Sequence, residues 1–231
     1  MCAKLQKTIA KANFKNGDNF VYLQIMIGNK NKRQQRYENI LRKAVELFAI
    51  QGYDNTTISD LQNSVDMGRG TMYFHFKNKE ELLKSVMNHY FLEPKLNILL
   101  QIPDNADVPY MINSLLSYID GLRESLETLD CKNIINTSNV MMLMYSAYSR
   151  FDDLARKARR LYQIEFGLWR RAIENDVKNG VVRSDVPIEI VANMFTHLKD
   201  SYDPGLHSRK MEFSSFPIAY NCLYDMIKVK K

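Results

Sequence analysis

Cysteine and proline are both scarce in this sequence. The three cysteines, Cys2, Cys131 and Cys222, lie far apart, and none belongs to a C-x-x-C pair. We therefore predict neither a disulfide framework nor a zinc site, and reduced thiols of the kind found in the cytoplasm. None of the six prolines falls within residues 110–186, so this stretch can form helices without a proline break.

Long apolar runs are also missing. No stretch approaches the roughly 18 apolar residues that indicate a membrane span, so no membrane partner is expected. The run at residues 20–27 is short, is interrupted by Gln24, and is not followed by a small-residue cleavage site, which argues against a secretory signal. A hydrophobic content of 45% is average for a globular protein and excludes global disorder. These features predict a cytoplasmic protein.

Excess positive charge is confined to one end of the chain. The formal net charge is +6, and residues 1–33 carry seven basic residues against one acid, which leaves the remainder neutral. Because this segment lacks sustained apolar periodicity, we predict that residues 1–33 form a disordered basic extension. Two interpretations stay open, a leader without a role, such as a misassigned start, or an arm that follows DNA phosphates or a minor groove.

The apolar spacing after residue 33 is typical of helices. Ile40, Ala44 and Phe48 share one face of a first helix, which Gly52 ends in the manner of a left-handed C-cap. Thr57, followed three residues later by Asp60, predicts the start of a second helix.

Later helix starts can also be located. Asn78 with acids in the following turn predicts the start of a fourth helix, which kinks or ends near Pro94. Asp153–Lys157 and Arg170–Glu174 are i,i+4 pairs that support a long helix. Further helices are expected near 108–128, 138–150 and 153–179, after Pro187 and after Pro217. The sequence thus predicts an all-α fold of about nine helices.

A helix-turn-helix motif is the most specific feature of the chain. Two short helices joined by a tight turn follow a supporting helix. Residues 70–76 read Gly-Thr-x-Tyr-x-His-Phe, and residues 78–82 read Asn-Lys-x-x-Leu. This segment resembles the signature of the tetracycline-repressor (TetR) family, over about residues 36–85. The resemblance implies a DNA-binding domain at residues 34–80 and a helical effector-binding and dimerisation domain at residues 81–231.

Residues around the motif are predicted to contact DNA. Arg69 can fork to guanine O6 and N7, and Gly70 lets the backbone approach closely. His75 and Lys79 are expected to contact phosphate, Lys79 from the start of the fourth helix. Met72 and Phe76 are predicted to point into the core. The complete predicted contact set is Thr57, Ser59, Arg69, Gly70, Thr71, Tyr73, Phe74, His75 and Lys79.

The second half of the chain is rich in methionine and aromatic residues, which can line an adaptable apolar pocket or simply form the core. The candidate ligand-binding residues are Tyr118, Met144, Tyr145, Phe166 and Trp169. The resemblance also implies a homodimer built on the last two helices. Its candidate interface residues are Val191, Met194, Phe195, Leu198, Ala219, Leu223 and Met226.

The function that the sequence predicts is that of a ligand-responsive repressor. It would bind double-stranded operator DNA of near-palindromic sequence as a homodimer and be released by an unknown small apolar or amphipathic effector. No cofactor or metal is expected, and the absence of a nucleophile elbow, phosphate loop or zinc-hydrolase motif argues against an enzyme. The alternative is a ligand-independent architectural or cell-cycle DNA-binding protein on the same fold.

Overall fold

The computed structural model describes residues 17–65, 72, 74–127, 129, 137–198 and 215–230. Helices dominate these residues, and among them no strand is formed beyond an isolated antiparallel bridge between Val182 and Lys228. The predicted all-α fold is confirmed. Across the same described ranges, every helix is too short or too polar to cross a membrane. The chain divides into two compact units, Met1–Ile40 and Leu41–Lys231.

The described part of the first unit belongs to helix α1, which spans Gly17–Gln51. Residues 17–33 are therefore helical, and the prediction of a disordered extension is wrong for them, whereas residues 1–16 lie outside the described residues. Sequence periodicity missed this part because it detects helices by their apolar face. A helix that is already nucleated extends through ordinary helix formers without such a face. The domain boundary after residue 33 stays a prediction, as does the one after residue 80.

The second unit holds the remaining described helices. A single π-helical turn at Asn88–Leu92 joins two of them. The helices are α2 (Ile58–Ser64), α3 (Lys79–Met87), α4 (Glu93–Leu99), α5 (Val108–Glu127), α6 (Thr137–Arg150), α7 (Asp152–Lys178), α8 (Ile188–His197) and α9 (Ser215–Ile227). The bounds of α5, α6 and α7 agree with the sequence prediction to within one residue.

The predicted kink near Pro94 takes the form of the π-helical turn. Pro94 has no backbone N–H and cannot take part in an uninterrupted helical ladder. It occupies the first turn of α4, where an N–H has no helical partner anyway. The wider π-helical turn directly before it carries the chain from α3 into α4 without a break.

Three parallel aromatic rings form the centre of the core of the second unit. Trp169 on α7 is fully buried, and its ring centroid lies 4.5 Å from that of Phe195 on α8 and 5.9 Å from that of Tyr220 on α9. The corresponding interplanar angles are 14° and 9°, so the rings are stacked. This stack fixes α7, α8 and α9 against one another.

A buried carboxylate connects the ends of three helices. Asp176 is 2% exposed, and its Oδ2 accepts the backbone N–H of Val108 at 3.2 Å and the hydroxyl of Tyr224 at 3.0 Å. Burial raises the pKa of Asp176, and the two hydrogen bonds partly counteract this rise. The start of α5 and the end of α9 are thereby tied to α7.

Candidate nucleic-acid interface

The second helix of the motif begins at the predicted capping box. The Thr57 hydroxyl oxygen accepts the Asp60 N–H at 3.1 Å, and Asp60 Oδ2 accepts the Thr57 N–H at 2.8 Å. The Thr57 hydroxyl also donates to Asp60 Oδ2 at 2.7 Å, and these hydrogen bonds lower the pKa of Asp60. Thr57 and Ser59 are both exposed. The hydroxyl of Thr57 that was predicted to contact DNA therefore also serves the cap.

The described residues 72 and 74–76 of the motif include both buried and exposed side chains. Met72, Phe74 and His75 are helical, and the N–H of Phe76 donates to the carbonyl of Met72 at 2.9 Å. Met72 is 1% exposed and Phe76 is 4% exposed, which confirms the prediction that both belong to the core. Phe74 is 67% exposed. His75 is half-buried, and its ring meets that of Phe74 edge-on at 5.5 Å.

Four of the predicted DNA contacts lie outside the described residues. They are Arg69, Gly70, Thr71 and Tyr73. Their contacts stay predictions, as do those of Thr57, Ser59, Phe74 and His75.

Lys79 holds the turn between α1 and α2. Its ammonium donates to the carbonyls of Tyr53 at 2.8 Å, Thr56 at 2.9 Å and Asp54 at 3.4 Å. It also lies 4.3 Å from the centroid of the Tyr53 ring. Because an ammonium has three N–H donors, all of them are engaged within the protein. Lys79 thus has a positioning role that the sequence did not indicate, and its predicted phosphate contact stays a prediction.

The five predicted ligand-binding residues do not line one cavity. Tyr118 contributes to a recess of about 250 Å³ that is lined by the π-helical turn, α4 and α5. Phe166 instead contributes to a groove of about 410 Å³ on α7 and α8. Trp169 belongs to the buried aromatic stack, and Tyr145 is 73% exposed. Met144 is half-buried on α6. Helical spacing alone could not tell which of these side chains face the interior.

A buried polar cluster, which the sequence did not indicate, includes side chains of α4, α5 and α7. Lys95 Nζ lies 2.6 Å from Oε2 of Glu165, which is fully buried. The Tyr118 hydroxyl donates to the carbonyl of Phe91 in the π-helical turn at 3.3 Å. Burial raises the pKa of Tyr118, and the nearby Tyr148 and Glu165 raise it further, while burial raises the pKa of Tyr148 to about 12. Both phenols therefore stay protonated at neutral pH.

The predicted dimer residues fall into a buried and an exposed group. Val191, Phe195 and Leu223 are at most 8% exposed and belong to the chain's own core. Met194 is 49% and Met226 is 71% exposed. The other two, Leu198 and Ala219, are half-buried.

The exposed apolar surface on α8 and α9 includes side chains that the prediction missed. Ile190 is 62% and Ile218 is 67% exposed, and Cys222 is exposed as well. Ile218, Cys222 and Met226 follow one another at intervals of four residues and so share one face of α9. The predicted interface residues include only Met226 of this face, because apolar residues occur on both sides of each helix and the sequence does not show which side is exposed.

Comparison with known proteins places this arrangement among bacterial regulators. Residues 40–86 match the family model described as bacterial regulatory proteins, tetR family. The chain is 36% identical over 85 residues to IcaR, the HTH-type negative transcriptional regulator of the biofilm operon icaADBC in Staphylococcus epidermidis. That alignment covers 36% of this chain and 42% of the regulator, so the chain spans less than half the length of this relative.

Other similarities extend over more of the chain. The HTH-type transcriptional repressor KstR2 of Mycolicibacterium smegmatis is 25% identical over 156 residues, which is 68% of this chain and 72% of the repressor. SmeT, the repressor of the Stenotrophomonas maltophilia multidrug efflux pump SmeDEF, has the same fold with a TM-score of 0.54. Its sequence identity is 18%, over 84% of this chain and 91% of SmeT. SmeT has also been solved in complex with triclosan.

Proposed function

Since residues 40–86 of this chain match the model of the bacterial tetR family of regulatory proteins, we propose that it is a repressor whose residues 34–80 bind a near-palindromic operator. The observation that carries this proposal is the match of residues 40–86 to the family model, together with the described parts of this segment. There, α2 begins at a capping box, and beyond it Met72 and Phe76 are buried while Phe74 is exposed. An exposed helix of this kind fits the major groove, where base edges can be distinguished.

We further propose that the repressor acts as a homodimer through α8 and α9. The support is the exposed apolar surface formed by Ile190, Met194, Ile218, Cys222 and Met226. Apolar helix faces exposed to water favour association with a self-complementary copy about a two-fold axis. Such a dimer presents two recognition helices to two half-sites, which matches a near-palindromic operator.

Replacing Met226 by aspartate tests this interface. The variant is expected to raise the dimer dissociation constant at least about tenfold, because dimerisation would then bury an unpaired charge. Sedimentation velocity over a range of concentrations measures the effect. Leu100→Asp is the matched control, since Leu100 is 69% exposed on another part of the surface and should leave the dimer unchanged. An equally dimeric Met226→Asp protein contradicts the proposed interface.

The repressor is released, in this proposal, by a small apolar or amphipathic effector. The recess beside the π-helical turn supports such a site, because its lining combines apolar surface with the hydroxyl and imidazole groups of a few polar side chains. The main lining residues are His89, Tyr90, Pro94, Ile98, Tyr118 and Leu122. The fold relative SmeT binds the small molecule triclosan. The effector must bind the DNA-competent and DNA-incompetent states unequally, since otherwise it shifts no equilibrium.

Binding to duplex DNA from upstream of its own gene tests the proposed function. Arg69→Ala is expected to weaken binding to this duplex by about 1–3 kcal/mol more than binding to a scrambled duplex, because a bidentate base contact is lost. Titration at several salt concentrations separates this loss from the phosphate contribution. Arg183→Ala is the control, since Arg183 is exposed and pairs with Asp185. Equal losses of affinity for both duplexes would show that Arg69 does not contact a base.

One observation favours the alternative of a ligand-independent DNA-binding protein. Trp169, a predicted pocket residue, is fully buried in a stack of aromatic rings, and Tyr145, another, faces solvent. These two side chains therefore do not contribute to an effector pocket. Saturable binding to the upstream duplex that no candidate effector alters would favour this alternative.

A further inference from the structure

The junction between α6 and α7 contacts the turn that leads into the DNA-binding motif. Arg150 is the last residue of α6, and Phe151 precedes α7 as its N-cap. Arg150 Nη2 donates to Oδ2 of Asp54 at 2.6 Å, in the turn between α1 and α2. Since 96 residues separate this pair, no sequence pattern indicated the contact.

The Tyr53 ring is the centre of this contact. The Arg150 guanidinium lies 5.2 Å and the Lys79 ammonium 4.3 Å from its centroid, which are distances of cation–π interactions. Phe151 meets the same ring edge-on at 6.1 Å, and the Phe48 ring lies 5.5 Å away. Side chains from α1, α3 and the α6–α7 junction therefore converge on one ring.

The same junction also holds α3 and the π-helical turn. Lys84 Nζ lies 3.2 Å from Oδ2 of Asp153 and 4.9 Å from the centroid of the Phe151 ring. Lys157 donates to Oδ1 of Asn88 at 3.0 Å. The i,i+4 pairing of Asp153 with Lys157 suggested by the sequence is thus replaced by contacts with other elements. The first turns of α7 are fixed to the segment that starts at Lys79.

These contacts act on the start of α2. The Lys79 ammonium holds the carbonyl of Thr56, and the Thr56 hydroxyl donates to the carbonyl of Gly52 at 2.8 Å. Thr57 follows directly and caps α2. A displacement of Arg150 or Phe151 therefore reaches the cap of α2 through the Asp54 carboxylate and the Tyr53 ring.

We propose that Arg150 and Tyr53 are positioning residues for DNA binding. They couple the α6–α7 junction to the start of α2, so that the C-terminal part of the chain sets operator affinity through this contact. Neither residue has to touch DNA, because both act by holding the turn between α1 and α2. This inference rests on the proposed function.

A double-mutant cycle tests the energetic coupling. Arg150→Ala and Asp54→Ala are each expected to lower affinity for the upstream duplex about two- to fivefold, the range of exposed ion pairs, and the double variant should lose no more than either alone. The charge-swapped protein, Arg150→Asp with Asp54→Arg, should recover most of the affinity. Arg123→Ala, which removes exposed ion pairs on α5, is the control and should bind normally. Additive losses without recovery by the swap overturn the proposal.

Hydrogen exchange tests whether the contact transmits a change. Saturating upstream duplex should slow amide exchange at residues 147–157 of the wild-type protein, and a scrambled duplex should not. Tyr53→Leu should abolish this distant protection, and Tyr53→Phe should keep it because the ring remains. Protection confined to residues 41–80 in the wild-type protein overturns the inference while the proposed function stands. If no duplex binds specifically, the proposed function fails first, and the inference fails with it.

Discussion

The Lys95→Met variant is expected to lose about 3–5 kcal/mol of unfolding free energy, because it breaks a buried ion pair. Lys95 Nζ lies 2.6 Å from the Glu165 carboxylate, and Glu165 is fully buried. Removal of the ammonium takes away the positive charge that lies closest to this buried carboxylate in the described contacts. The cost of desolvating that charge is then no longer offset by the attraction of the pair.

Denaturant unfolding measures this loss. The double variant Lys95→Met with Glu165→Leu should return most of the stability, because an apolar pair of similar volume carries no desolvation cost. Arg123→Ala breaks ion pairs whose side chains are more than one-third exposed and should cost less than about 1 kcal/mol. A Lys95→Met protein as stable as the Arg123→Ala protein would show that the buried pair is not coupled as the structure indicates.

The Lys79→Met variant is expected to lose about 2–3 kcal/mol of unfolding free energy. The ammonium donates to three backbone carbonyls in the turn between α1 and α2, at 2.8, 2.9 and 3.4 Å. Methionine can keep some packing of the side chain against the Tyr53 ring but offers no donor. This loss is smaller than the summed free energy of three charged hydrogen bonds, because water can replace the ammonium at some of the carbonyls in this partly exposed turn.

Stability and salt dependence distinguish the two roles of Lys79. If the side chain mainly contacts phosphate, Lys79→Met leaves the unfolding free energy unchanged and lowers the slope of log affinity against log salt by about 0.9. If the side chain mainly holds the turn, the unfolding free energy falls strongly while the slope of log affinity against log salt changes little. Lys77→Met is the matched control, since Lys77 is an exposed neighbour and should leave stability unchanged.

Local rules predicted the helices and several of their ends. Periodicity located α5, α6 and α7, and the capping pattern of Thr57 with Asp60 marked the start of α2. Gly52 has a φ of 81°, as expected where a left-handed residue ends a helix. The burial of Met72 and Phe76 followed from their spacing. Each of these features depends on residues within one or two turns of each other, which is why sequence patterns report them.

The features that the sequence did not predict depend on contacts between distant segments. Lys79 reaches carbonyls 23 to 26 residues away, and Arg150 pairs with a residue 96 positions earlier. Periodicity shows which side chains share a helix face but not what that face meets. Phe195, for example, was predicted at a dimer interface but lies in the chain's own core, and the exposed Ile218 was not among the predicted interface residues.

The aromatic stack gives this protein an optical reporter of its own. Trp169 is the only tryptophan in the sequence, and it is fully buried between α7, α8 and α9. Tryptophan emission therefore follows the packing of these three helices, whereas far-ultraviolet circular dichroism sums over every helix. If the two signals change at the same denaturant concentration, the motif and the Trp169 core unfold cooperatively. If they separate, the difference measures how far the DNA-binding motif can loosen while the aromatic core stays intact.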